Sequence, residues 1–195
     1  MAILNASGHS PIVRGTIRPP GAASWLWLWV SLCTAFPIHA AEEYQIKAAF
    51  LYNFIKYVTW PSGAFPAADS PYVIGVVGKD PFGDRLDELA RQSLKGRLLK
   101  IVRLDSGAPL VSCHLLFVPD SEKKKWDQIF NRLGTAPVLT VGEGDRFALS
   151  GGVINFYTEN NRVRFEINVD AARRAELTID SAMLNLAKLV RDPRP

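Results

Sequence analysis

Cysteine and histidine are the residue types best suited to nucleophilic, general-base or metal chemistry, and the chain has two cysteines and three histidines. Cys33, His9 and His39 lie within the first 40 residues, so Cys113 and His114 are the candidates in the rest of the chain. A zinc site built from these residue types needs three or four ligands. A serine or cysteine triad would have to use His114 as its base.

Cys113 and His114 stand at the start of the apolar run 115–118, which predicts a strand. Neighbours on a strand point to opposite faces, so these two side chains are not expected to act together. The sequence therefore favours a buried, hydrogen-bonded His114 at a strand end and a buried, inert Cys113. The alternatives are a hydrolase that uses His114 and a disulfide between two molecules through Cys113. We predict no catalytic residues and no metal site.

A further candidate is the glycine-containing segment 75–83, which follows one predicted strand and precedes a predicted helix. A phosphate loop would occupy this position, but the spacing fits neither the dinucleotide fingerprint nor a P-loop, and no serine or threonine follows Lys79. An ordinary turn is therefore favoured. Backbone amides at the helix start near Asp80 could still hold an anion. Lys79, and separately Arg164, are thus candidate ligand-binding residues for a small anion or nucleotide, and no cofactor is predicted.

The segment 151–168 predicts a β-hairpin with Asn160-Asn161 as a two-residue turn, since asparagine tolerates the positive φ that such turns need. This register gives one apolar face, with the pairs Thr158–Val163, Phe156–Phe165 and Ile154–Ile167. It gives one polar face, with the pairs Glu159–Arg162, Tyr157–Arg164 and Asn155–Glu166. The apolar face belongs to a core. Tyr157, Arg164 and Glu166 on the polar face are predicted to contact a partner.

Residues 1–40 have the composition of a secretory signal peptide. Two arginines precede a nearly continuous apolar run over 22–36, and small residues follow at 40 and 41. Cleavage after Ala40 would leave 41–195 as the mature, periplasmic domain. An uncleaved membrane anchor is the alternative, but the run is short for a span of roughly 20 residues.

A lipoprotein anchored through Cys33 is disfavoured because Leu32 stands where a small residue is required. Loss of the presequence removes Arg14 and Arg18 and no acidic residue, which lowers the formal charge from +4 to +2. The basic pI of the whole chain is therefore no argument for nucleic-acid binding. The run Lys123–Lys125 is predicted to be a solvated helix face.

Beyond residue 40, strands and helices alternate along the chain, which predicts an α/β fold. The expected arrangement is a single-domain three-layer sandwich with a mostly parallel sheet and the C-terminal antiparallel hairpin. The predicted strands cover 72–77, 98–104, 113–118 and 138–141, and the predicted helices cover 43–58, 80–90, 121–133 and 180–190.

The first of these helices is apolar most of the way round, with a narrow polar stripe and Lys47 opposite that stripe. Such a helix is covered on more than one side, either within a monomer core or by a partner subunit. Aromatic residues are enriched at subunit contacts. Phe50, Phe54, Tyr57 and Trp60 are therefore predicted partner-binding residues.

The sequence resembles the YfiR family of periplasmic signalling repressors. The resemblance is spread over segments 44–54, 60–61, 80–83, 113–117 and 138–141, and it is strongest in 151–156 and 162–174. It implies a small periplasmic α/β protein that dimerises and regulates rather than catalyses. It also implies binding to the periplasmic region of an inner-membrane diguanylate cyclase, which is held inactive.

The same resemblance implies that an outer-membrane, peptidoglycan-associated lipoprotein can sequester the repressor and release the cyclase. The output would be cyclic-di-GMP, biofilm formation and motility. Family members can form disulfides, and Cys113 has no partner after residue 40, so the resemblance does not extend to an internal disulfide. The alternative function is a periplasmic sensor of a small anion or nucleotide within another membrane signalling system.

Overall fold

The fold is built on one eight-stranded sheet, seen in a computed structural model that describes residues 38–105 and 107–193. The strand order is β10-β8-β7-β6-β5-β2-β4-β3, and neighbours are parallel except in the pairs β7–β8 and β3–β4. The ten strands are β1 (Val58–Thr59), β2 (Tyr72–Val77), β3 (Ser93–Leu94), β4 (Arg97–Leu104), β5 (Leu115–Val118), β6 (Leu139–Glu143), β7 (Ile154–Glu159), β8 (Arg162–Asn168), β9 (Thr178–Ile179) and β10 (Lys188–Val190). β1 and β9 form a separate antiparallel pair.

Helices cover both faces of the sheet, as the continuous apolar run of its central strand β5 requires. The helices are α1 (Ile38–Tyr57), α2 (Asp84–Ala90), α3 (Trp126–Leu133), α4 (Val169–Arg174) and α5 (Ser181–Leu184). α1, α2 and α5 pack on one face, where Ile74, Val76, Leu115, Phe117 and Ile154 belong to the larger core. α3 packs on the other face against Val77, Leu116 and Val118. The predicted α/β three-layer sandwich is confirmed.

The hairpin has the predicted register at all six positions, from Ile154 opposite Ile167 to Glu159 opposite Arg162. Asn160 and Asn161 take φ values of 50° and 57°, the left-handed conformation that a two-residue turn of this kind requires. Phe156 and Phe165 on the apolar face are buried against α1. A local pattern of turn residues and alternation was therefore sufficient to position this element.

Several predicted helix boundaries are wrong. The first helix begins at Ile38 and not at 43, and the helix predicted over 121–133 begins at Trp126, after a 3-10 helix over Asp120–Lys125. The predicted helix 180–190 is a single turn, Ser181–Leu184, followed by strand β10, which runs parallel to β8 and covers its otherwise open edge. The helix predicted from Asp80 begins at Asp84, because the Asp80 carboxylate accepts the Phe82 amide in a local turn instead. Asp180 does cap the C-terminal turn, and its side chain accepts a hydrogen bond from the Ala182 amide.

The predicted signal peptide stays a prediction, because residues 1–37 lie outside the described part of the chain and Ile38–Ala40 are the first residues of α1. Within 38–105 and 107–193, no helix combines the length and apolar character needed to cross a bilayer.

Candidate functional site: an ionic cleft and an apolar groove

The carboxyl ends of parallel strands and the polar face of the hairpin meet in an open cleft, the ionic cleft, with a volume of about 610 Å³. Ligands of open α/β sheets usually bind beyond the carboxyl ends of the strands. The cleft is lined by side chains from α1, β6, β7, β8 and β10 and by the loops after β5 and β6: Glu43, Tyr44, Lys47, Asp120, Glu143, Gly144, Asp145, Arg146, Asn155, Phe156, Tyr157, Thr158, Glu166 and Lys188.

One wall of the ionic cleft is a buried ion pair between α1 and the end of β6. The Lys47 ammonium lies 2.5 Å from Glu143 Oε2 and 2.6 Å from Glu43 Oε1, and only 5% of Lys47 is exposed. The Tyr44 hydroxyl donates to Glu143 Oε1 at 2.7 Å. Burial, and then this contact with Glu143, raises the pKa of Tyr44, so the phenol stays protonated and remains a donor. A buried lysine needs such partners because an unpaired charge there is costly.

The opposite wall of the ionic cleft comes from the polar face of the hairpin. Asn155 Nδ2 donates to Glu166 Oε1 at 3.1 Å, and the Lys188 ammonium lies 3.3 Å from Glu166 Oε2. Lys188 also lies over the Tyr157 ring, 5.7 Å from its centroid. Asn155 and Glu166 are buried, whereas Lys188 is exposed. This wall thus presents a carboxylate that is hydrogen-bonded by an amide, and the exposed Lys188 side chain lies across it.

Gly144 closes the floor of the ionic cleft with a φ of 130°, a conformation that favours glycine. A Cβ at this position would lie 2.2 Å from Asp120 Oδ1, so a side chain here would collide with that carboxylate. The absence of a side chain at residue 144 lets Asp120 approach the end of β6. Among the described residues, no three histidine, cysteine or carboxylate side chains are arranged to hold a metal ion.

A second concave surface, the apolar groove, runs between α1 and α5 and has a volume of about 230 Å³. It is lined by Phe50, Asn53, Phe54, Tyr57, Phe165, Ala182, Met183 and Leu186. Leu186 is 76% exposed and Tyr57 is 38% exposed at its rim. Large apolar side chains exposed beside an apolar groove are typical of a protein-binding surface.

The predicted contact residues of α1 divide between this groove and the core. Phe54 is 2% exposed and stacks on Phe156, and Trp60 is 6% exposed and donates its indole N–H to the His114 carbonyl. Trp60 is fully used in packing and does not line the groove, so the predicted contact role is wrong for Trp60. Phe54 is a core residue that also forms part of the groove floor. Phe50 is half-buried and Tyr57 is exposed, so these two remain candidates.

The predicted contact residues of the hairpin lie in two different places. Tyr157 and Glu166 line the ionic cleft, and Glu166 is 8% exposed. Arg164 lies opposite Tyr157 and is exposed outside the cleft lining. The polar face of the hairpin is therefore a cleft wall at its base and a solvated surface near its turn.

Lys79 and Arg164 do not form one site. Lys79 follows β2 and Arg164 lies on β8, four strand spacings away, which is roughly 19 Å across a sheet. Lys79 is exposed, and the neighbouring amide of Phe82 is already satisfied by Asp80. The short helix α2 begins with Asp84 and Asp87, whose negative charges disfavour an anion there.

His114 is buried and hydrogen-bonded at a strand end, as predicted. Its Nδ1 accepts from the Val73 amide at 3.1 Å, so its Nε2 is the protonated nitrogen that faces the Ala64 carbonyl at 3.1 Å. Its ring stacks on Phe65 with centroids 4.4 Å apart. Burial lowers the pKa of His114, and both nitrogens are engaged, so it is unsuited to act as a general base.

Cys113 points to the other face of the sheet and lies in the core beneath α3. It is 3% exposed, and burial raises the pKa of its thiol to about 11. A protonated, buried thiol is unreactive, so the geometry favours the inert interpretation over a disulfide between molecules.

The sequence interpretation missed most of the ionic cleft, namely Tyr44, Lys47, Glu143, Asn155 and Lys188 as one constellation. One signal was present, because Lys47 lies on the apolar side of α1, where a charge requires a buried partner. Its partner Glu143 lies 96 residues away along the chain. Local periodicity carries no information about such a pairing.

A family model described as YfiR/HmsC-like matches residues 44–188. The match covers the whole apolar groove and all of the ionic cleft except Glu43, and the chain belongs to the YfiR/HmsC-like family. This is a family of periplasmic regulators of cyclic-di-GMP signalling.

Among solved structures, the chain is similar to one described as the ABC domain in complex with L-Trp from Streptococcus pneumonia. The two share 10% identity with a TM-score of 0.49, and the match covers 77% of this chain. The chain spans 60% of the length of that protein.

Proposed function

We propose that this protein represses a membrane-bound diguanylate cyclase by binding the cyclase's periplasmic region, which lowers cyclic-di-GMP and biofilm formation. The observation that carries the proposal is the YfiR/HmsC-like match over 44–188, which spans nearly the whole described domain. The arrangement of His114 and Cys113, turned to opposite faces and buried, supports a binding role over a catalytic one.

The apolar groove is the surface we assign to the cyclase. It offers aromatic rings from α1 and an exposed Leu186 from the turn after α5, a combination suited to the apolar face of a helix. The aromatic floor is already packed, since the rings of Phe50, Phe54 and Phe165 contact one another. A preorganised floor reduces the ordering cost of association.

The first test is the cellular level of cyclic-di-GMP in the source bacterium with and without this gene. Deletion should raise cyclic-di-GMP, and the full-length protein should restore the lower level. A form lacking residues 1–40 should not restore it if the action is periplasmic. An unchanged level after deletion would contradict repression of a cyclase.

The second test compares Leu186→Asp with Leu98→Asp. Both leucines are exposed, at 76% and 66%, but Leu98 lies on β4 at the far side of the sheet. Leu186→Asp should abolish capture of the cyclase's periplasmic region and raise cyclic-di-GMP, whereas Leu98→Asp should behave as the native protein. Circular dichroism should show native folding of both. Equal capture by the two variants would exclude the groove as the contact.

The family resemblance supplies two further partners as proposals. A peptidoglycan-associated outer-membrane lipoprotein would compete with the cyclase for this protein, and a second copy of the chain would form a homodimer. Co-purification of the lipoprotein from membranes, with loss of cyclase capture when the lipoprotein is added, would support the first.

A further inference from the structure

The ionic cleft contains a buried acceptor that no group in the described part of the chain satisfies. Asn155 is 4% exposed and its Oδ1 accepts no hydrogen bond among the described residues, while its Nδ2 donates to Glu166. Exchanging the two amide atoms would place two acceptors against each other, so the orientation is set by Glu166. A buried acceptor without a donor is uncommon and indicates a missing partner.

Lys188 shows what kind of group this wall accepts. Its ammonium lies against Glu166 and over the Tyr157 ring, although its side chain is 63% exposed and it comes from the edge strand β10. Fixing a long exposed side chain in such a contact costs rotamer entropy. A separate cation can therefore replace the Lys188 ammonium at Glu166. The carboxylate and the aromatic face form a binding position for an ammonium group.

We propose that the ionic cleft binds a small organic cation with a primary ammonium group, which displaces Lys188 from Glu166 and donates to Asn155 Oδ1. Lys188 is then a tethered competitor that fills the position when the ligand is absent. One ammonium group of the ligand would take the place of Lys188 at Glu166 and the Tyr157 ring. A second donor of the same ligand would reach Asn155 Oδ1, which Lys188 leaves without a hydrogen bond.

The charge of the lining favours a cation over the anion considered from the sequence. Five carboxylates and three basic side chains line the cleft: Glu43, Asp120, Glu143, Asp145, Glu166, Lys47, Arg146 and Lys188. Lys47 is held between two of the carboxylates, and displacement of Lys188 leaves the lining more negative still. A ligand with two ammonium groups and no carboxylate suits this field best, because Asp120 and Asp145 line the same cleft.

The test is isothermal titration of the purified protein with 1,4-diaminobutane, with 1,4-butanediol as the uncharged control. The native protein should bind the diamine and not the diol. Glu166→Gln keeps an acceptor for Asn155 but loses the charge, so it should weaken binding by about tenfold or more. Lys188→Met keeps the aliphatic stem and removes the competitor, so it should strengthen binding several-fold, while Lys100→Met on β4 should change nothing.

The opposite signs of the Glu166 and Lys188 effects are the decisive result. Stronger binding in Lys188→Met separates displacement of the lysine from general damage to the fold, which only weakens binding. Unchanged or weaker binding in Lys188→Met would overturn the proposal, as would binding of the diol or no binding by the native protein. Because the titration uses the isolated protein, its failure leaves the proposed repression of a cyclase untouched.

Discussion

At the scale of single residues, His114 shows how burial turns a reactive side chain into a structural one. Both ring nitrogens are engaged by backbone groups, and the ring lies between Phe65 and Trp60. His114 is the only histidine after residue 40 and therefore the only one that could serve as the base of a triad there. Its tertiary contacts make it unsuited to that role.

The pH dependence of stability tests this interpretation of His114. Because burial lowers its pKa in the folded state, the unfolded chain binds a proton first as pH falls below about 6.5. Its contribution to the free energy of unfolding is therefore complete above pH 6.5 and is lost as pH falls toward the folded pKa. Urea unfolding at pH 7.5 and 5.5 should show a decline that is smaller in His114→Gln. An equal decline in both proteins would contradict a neutral buried imidazole.

Phe54 and Tyr57 lie one turn apart on α1 and provide a second residue-scale prediction. Phe54 is fully packed, so Phe54→Ala should lower the free energy of unfolding by about 3–5 kcal/mol. Tyr57 lies at the exposed rim of the apolar groove, so Tyr57→Ala should cost about 1 kcal/mol or less. Chemical denaturation measures both. Similar losses would mean that the rim is as tightly packed as the core.

At the scale of elements, the hairpin is specified by its own sequence, and its turn is the sensitive point. Asn161 has a φ of 57°, which a β-branched residue adopts at a cost of about 1–2 kcal/mol. Asn161→Val should therefore lower the unfolding midpoint, whereas Thr158→Val, on the extended part of β7, should leave it nearly unchanged. A midpoint unaffected by Asn161→Val would show that the turn conformation does not limit stability.

The segment that forms β10, in contrast to the hairpin, is not specified by its own sequence. Its sequence predicts a helix, but it forms a strand. The open edge of β8 offers backbone donors and acceptors, and the pairing of Lys188–Val190 satisfies them. The same pairing lays Lys188 over Glu166, so an edge strand supplies part of the ionic cleft. Leu186, at the rim of the apolar groove, lies two positions before Lys188. This short segment therefore contributes side chains to both the ionic cleft and the apolar groove.

At the scale of the whole molecule, the exposed edge of the sheet suggests how two copies could meet. β10 is an edge strand with Leu189 53% exposed, and exposed apolar edge strands tend to be covered. We predict a homodimer that includes this edge. Light scattering should give twice the chain mass for the native protein, the chain mass for Leu189→Lys and twice the chain mass for Leu98→Lys. A native mass of one chain would refute the prediction.

The sequence by itself determined the α/β class, the strands around 72–77 and 115–118, the hairpin register and the regulatory family. The fold class, the strands and the hairpin register rest on local alternation and turn residues, whose physical cause lies within a few residues of each position. The family rests on a resemblance spread along the chain. The burial of His114 and Cys113 followed from the same strand periodicity.

The tertiary structure alone decided which aromatic residues of α1 are buried, that Lys188–Val190 form a strand, and that an ionic cleft exists. Phe54 is hidden because the hairpin folds over it, and Lys47 meets Glu143 across 96 residues. Such contacts depend on how the layers stack. The layers stack as they do because burial of their apolar faces lowers the free energy of the folded chain. Local sequence patterns do not indicate which distant charged residues this stacking brings together.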